Sequence, residues 1–137
     1  MNQAINQLST HSWFDLVGYN INTYIWKSKA VKATPVNKQA AIAWIDTLPI
    51  VEAHILLDAG VTTINISNIS PVQYKRLIFV GNITPQDAEA ALTGITAANF
   101  QNTPLDTIYI PDPHFPPADS FWQSLAAANG GKYTFVP

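Results

Sequence analysis

Twice in its second half this chain runs from a short apolar stretch through a turn into a segment of helical spacing, and that pattern restricts the fold more than any other feature. "RLIFV", Arg76–Val80, is continuously apolar after its first residue, as expected of a strand covered on both faces. Gly81 and Asn82 suit a tight turn, and Pro85 suits the start of a helix whose Ala88, Ala91, Leu92 and Ile95 form one apolar stripe. "LDTIYIPD", 105–112, opens the second unit as a strand. "HFPPADSFWQSLAAANGG" follows as a loop and a helix, with Phe121, Leu125 and Ala128 facing inward and Gly130 or Gly131 as its stop. "KYTFV" closes the chain as a last strand. Strands alternating with helices predict an α/β fold, a doubly wound and mostly parallel sheet with helices on both faces.

The first half adds an antiparallel edge. Ala4, Ile5 and Leu8 mark a short helix over 2–8. "WFDLVGYN" alternates, "NTYIWKSKAVKA" is rich in β-branched and aromatic residues, and together they predict a hairpin turning at Asn20–Asn22. In "TPVNKQAAIAWIDTLP", Thr34 is an N-cap, Pro35 the first helical residue, Ala41, Trp44, Ile45 and Leu48 one face, and Pro49 the stop. Between this helix and Arg76 the pattern predicts a short helix over Glu52–Ala59 and a strand over Thr62–Ser67.

The 137 residues fit a single domain with a substantial core. Only 12% are charged, against roughly 25% in ordinary soluble domains, so much of the surface is Asn, Gln, Thr and Ser. Such a surface opposes association weakly. Seven Lys plus Arg and a net charge of -2 argue against nucleic acid. The absence of cysteine excludes disulfides, thiolate catalysis and cysteine-based metal sites. "MNQAINQLSTHSWF" lacks a basic region followed by an apolar run, so no signal peptide and no membrane anchor are expected, and a cytoplasmic location is the default.

The element order and several phrases resemble the von Willebrand factor A domain. "FDLVGYN" is similar to that family's second strand, "TYIWKSKAVKATPVNKQAAIAWIDTLP" to its edge strand and following helix, and "FWQSLAAANGGKYTFV" to its closing helix, glycine pair and strand. The family's Mg²⁺ site joins an Asp-x-Ser-x-Ser motif, a Thr and an Asp, oxygen ligands that a hard cation needs. Here no Asp-x-Ser-x-Ser occurs, Ile55 stands near the Thr position, and the strand-end Thr-Asp-Gly falls on Val80, Gly81 and Asn82. The resemblance therefore implies no metal and no other cofactor. It also implies that the central first strand is missing or replaced, because the chain begins at what corresponds to the helix after it. The gap has three possible closures: the second strand pairs with "RLIFV", "GVTTINIS" enters the sheet, or another chain donates a strand.

Few residues carry recognisable chemistry. Asp112 and His114 lie beyond a strand's carboxyl end, where doubly wound sheets bind ligands, and with Asp119 they make the alternative catalytic set of a small hydrolase. No Gly-x-Ser-x-Gly turn or phosphate loop accompanies them, which favours a surface loop. His54 and Asp58, four apart, would share a helical face, yet two ligands do not make a metal site. His11 reads as a capping or surface residue. Trp13, Trp26, Trp44 and Trp122, with Phe121 and Tyr109, read as core or interface rather than a carbohydrate platform, and Asp15 and Asp106 as solvated turn carboxylates.

Asn20, Gly81, Asn82 and Asp112 remain as candidate binding positions at strand ends. The expected function is a non-catalytic protein-binding or self-assembly module, such as a structural subunit, whose partner is a further copy or a protein that completes the sheet. A metal-dependent adhesion module completed by another chain is the other alternative.

Overall fold

The computed structural model describes residues 2–49, 51 and 54–137. Helix α1 (Asn2–Gln7) precedes four short strands, β1 (Trp13–Phe14), β2 (Val17–Tyr19), β3 (Thr23–Ile25) and β4 (Val31–Lys32). Then come α2 (Pro35–Ile45), α3 (Leu57–Ile69), β5 (Leu77–Gly81), α4 (Ala88–Ala98), β6 (Leu105–Tyr109), α5 (Asp119–Ala128) and β7 (Tyr133–Phe135). The α/β class, the parallel strands and the antiparallel hairpin are those expected. Strands β5, β6 and β7 form a parallel sheet in that order, while β1 pairs antiparallel with β4 and β2 with β3.

One face of the parallel sheet carries the core. Leu77, Phe79, Leu105 and Tyr109 meet Leu56 and Ile64 from the α3 side, Ala91 and Ile95 from α4, and Trp122 and Leu125 from α5. The opposite face is more open: Ile78 is 58% exposed and Val80 and Ile108 are half-buried. "RLIFV" is thus not covered on both faces; its burial alternates, because the three helices following α2 gather on one side.

The segment read as a strand, Thr62–Ser67, is helical, and of the helix expected over Glu52–Ala59 only Leu57 onward is helix; Glu52 and Ala53 lie outside the described residues. Val61, Thr62 and Ile64 favour strand locally, but packing overrides that preference. Gly60 lets Ile95 approach so closely that an added Cβ would stand 2.3 Å from its Cδ1, and Gly94 admits Leu57 in the same way at 2.4 Å. Asp87, thirty residues away, also holds the start of α3: its two carboxylate oxygens accept the N–H groups of Leu56 and Leu57 at 2.9 and 2.8 Å.

Helix ends follow their chemistry. Thr34 caps α2, its hydroxyl accepting the Asn37 N–H at 3.2 Å, and the helix ends at Ile45 in tight turns before Pro49 is reached. Helix α5 ends in a left-handed Gly130 (φ 63°), with Gly130 and Gly131 N–H groups returned to Ala127 and Ala126. Ala128 is exposed, and Trp122 and Ala126 join Phe121 and Leu125 inside. Buried Asn99 and Asn129, the capping residues of α4 and α5, tie the two ends together through an amide hydrogen bond of 3.0 Å.

Candidate functional site

The carboxyl ends of β5 and β6 lie side by side, because Ile110 N–H donates to the Gly81 carbonyl at 3.0 Å and Asp112 N–H to that of Asn82 at 3.3 Å. Gly81, Asn82 and Asp112 therefore share one rim. Asn20 ends β2 and is buried, and its side chain is engaged locally: Nδ2 donates to Pro49 and Oδ1 accepts from Asn22 N–H.

At the rim, Asp112 accepts from the His114 backbone N–H at 2.9 Å and stands 3.0 Å from its Nδ1. These contacts, the backbone one foremost, hold its carboxyl below the usual range. Asp119 does not join the pair; it sits in the first turn of α5 and accepts the Tyr133 hydroxyl. The imidazole of His114 is open to solvent.

Gly81 is where the resemblance places a carboxylate, and a side chain there has no room. An added Cβ would lie 2.0 Å from Cζ2 of Trp122, whose fully buried indole donates to the Ile83 carbonyl at 3.2 Å. Ile55, near the Thr position, presents its backbone N–H to the Asn20 carbonyl at 2.8 Å. His54 precedes α3, so it shares no helical face with Asp58; its ring meets the Tyr19 ring edge-on at 6.3 Å. Among the described residues no three His, Asp or Glu side chains converge as metal ligands. The residues present do not fit the family's cation.

The remaining candidates have structural surroundings. His11 is exposed against Ser9. Trp122, Tyr109 and Phe121 are core, whereas Trp13 is exposed beneath Lys32 and Trp26 stacks on Phe14 beneath Lys27. The two carboxylates expected to be solvated turn groups are both engaged by other residues. Asp106 accepts from Arg76 and from Lys132 N–H, and the Arg76 contact above all keeps its carboxyl low.

Asp15 accepts the N–H groups of Leu16 and Lys27 on one oxygen, and its other oxygen is buried without a partner. Burial pushes its carboxyl up from 3.8 to about 6 against those hydrogen bonds. A carboxyl that binds its proton more tightly folded than unfolded contributes stability at low pH and loses it as pH rises through the folded value. Screening of this half-buried group reduces the effect to about 1 kcal/mol between about pH 4 and pH 7. Asp106 and Asp112 are shifted downward, so their contributions change below that window. Urea titrations of Asp15→Asn are expected to show a flatter pH dependence than the parent across the window; an unchanged slope would count against this assignment.

The residue that sequence reading missed is Tyr19. Its hydroxyl donates across to the Val80 carbonyl at 3.4 Å, joining β2 to β5 where no strand pairing does. Burial pushes this hydroxyl's pKa up, with the Asp87 carboxylate adding. Nothing in the alternation of "WFDLVGYN" marks it.

No family model and no curated protein matches the sequence. Among solved structures the chain is similar to von Willebrand factor type A from Catenulispora acidiphila, with a TM-score of 0.85 over 99% of this chain at 15% identity. The chain has a von Willebrand factor A-like fold. It spans 32% of the length of that neighbour.

Proposed function

We propose that the chain is a non-catalytic module that binds protein or assembles with its own copies, and that it works without a metal. The observation that carries this reading is the open side of the parallel sheet. By strand alternation Ile78, Val80, Ile108 and, just beyond the strand ends, Ile110 and Val136 share that side, and Ile78, Ile110 and Val136 are exposed. This face, apolar apart from Thr134 and the Asp106–Arg76 ion pair, suits a protein interface on a weakly charged molecule. The crowding at Gly81 supports the metal-free part of the reading, and Asp119's engagement by Tyr133 weighs against the hydrolase.

Light scattering on the eluting protein at micromolar to submillimolar concentration is expected to show association that Ile78→Lys reduces at least tenfold. A folded monomer at every concentration overturns self-assembly. Ester or peptide hydrolysis that disappears in His114→Ala overturns the non-catalytic assignment.

A further inference from the structure

The parallel sheet has its charges sorted by end. Strands β5, β6 and β7 run the same way, so their carboxyl ends and the helix starts that follow form one end of the sheet. Helix α3 starts there too, because Asp87 binds its first N–H groups. Asp58, Asp87, Glu89, Asp112 and Asp119 all lie at this end, at helix starts or just beyond β6. The other end holds Lys75 and Arg76 before β5 and Lys132 before β7, with Asp106 near the start of β6 paired to Arg76. From residue 54 onward every Lys and Arg is thus at one end, and every Asp and Glu except Asp106 at the other. Helix dipoles favour this placement, which leaves full charges of opposite sign facing away from each other.

At the basic end lies a groove of about 800 Å³, between the loops that lead into β5 and β6, lined among others by Tyr74, Lys75, Arg76, Gln101 and Asn102. The Tyr74 side chain is 88% exposed beside it. The Lys75 ammonium donates to the Ser67 carbonyl at 2.7 Å and to Gln101 Oε1 at 3.4 Å, and no carboxylate of the described residues balances its charge. At the acidic end Asp87 and Asp119 are held within the chain, whereas Asp58 and Glu89 are exposed on the adjacent starts of α3 and α4.

From this polarity we infer that the groove beside Lys75 receives the starts of α3 and α4 of a second copy, so that copies join end to end. The chain itself carries the complementary acidic surface, and a net charge of -2 opposes the approach of copies only weakly. An exposed tyrosine next to an unbalanced cation gives the contact an aromatic anchor as well as a charge. The two surfaces differ, so the contact is heterologous and repeats from copy to copy into a ring or a filament. Arg76 stands two residues before Ile78, so the groove borders the open sheet face and one contact can draw on both. This inference rests on the self-assembly reading and names the surfaces that meet.

Sedimentation velocity on the full chain is expected to show association that falls at least tenfold from about 20 mM to about 500 mM salt. Lys75→Glu and the double variant Asp58→Lys/Glu89→Lys are each expected to be monomeric. Mixed in equal amounts, the two are expected to form a pair and nothing larger, since each keeps the end that the other has lost. Lys75→Gln retains a donor for the Ser67 carbonyl without the charge, and is expected to weaken association at least threefold while melting with the parent. A mixture that stays monomeric while the parent associates, or parent association indifferent to salt, overturns the end-to-end contact. Association lost in Ile78→Lys but kept in Lys75→Glu also overturns it and leaves self-assembly standing. A parent that is monomeric throughout overturns both.

Discussion

Trp122→Ala is expected to remove about 3–5 kcal/mol of stability, read as a lower urea midpoint at unchanged slope. The indole is fully buried, stands edge-on to Phe121 at 4.9 Å between centroids, and satisfies the Ile83 carbonyl. Its backbone carbonyl accepts the buried Thr107 hydroxyl at 2.8 Å, so α5 is fixed to β6 at the same residue. A domain of this size holds about 5–15 kcal/mol in total, so the variant retains little. Trp122→Phe separates the two contributions: it keeps most of the volume and leaves the Ile83 carbonyl without its donor, for a smaller loss of about 1–3 kcal/mol. A Trp122→Ala chain within about 1 kcal/mol of the parent would contradict this account of the core.

Gly81→Asp, which restores the carboxylate the family resemblance places at this position, is expected to prevent folding or to cost more than about 4 kcal/mol, with no rescue by Mg²⁺. The new Cβ would lie 2.0, 2.5 and 2.8 Å from three carbons of the Trp122 ring, and a carboxylate would be buried beside that ring without a partner. Gly81→Ala carries the steric part alone and is expected to cost about 1–3 kcal/mol. In a Trp122→Leu background that cost should largely vanish, since the two positions compete for one space; a double-mutant cycle measures this coupling. A folded Gly81→Asp chain that binds Mg²⁺ in calorimetry would show that the strand end still has room for a ligand.

The second half was legible because its elements declare themselves over short distances. The strand at 77–81 is an apolar run and that at 105–109 an alternating one, both ending in turns; the helices after them keep their stripes except at exposed Ala128, the Gly130 stop holds, and α4 begins at Ala88 rather than at Pro85. The middle was misread because α3 is made of residues that locally favour strand. Its helical state depends on Gly60 and Gly94 letting α3 and α4 approach and on Asp87 capping it from thirty residues away. Of the candidate site, the shared rim of Gly81, Asn82 and Asp112 follows from parallel strands ending together, which the alternation of elements foretold. Tyr19 and Trp122 did not follow, because what each touches lies 61 and 39 residues away along the chain.

By itself the sequence determined the α/β class, the parallel pairing, the helix caps and the poor complement of catalytic and metal-binding groups, since these rest on residue types and their spacing. Only the tertiary structure decided what the end of "RLIFVG" is for. Packing sets Trp122 against the glycine, so the position without a side chain is a contact surface, and the outer edge of the same strand has no strand partner among the described residues. Close approach and unpaired backbone belong to elements brought together from distant parts of the chain, and no local pattern encodes either.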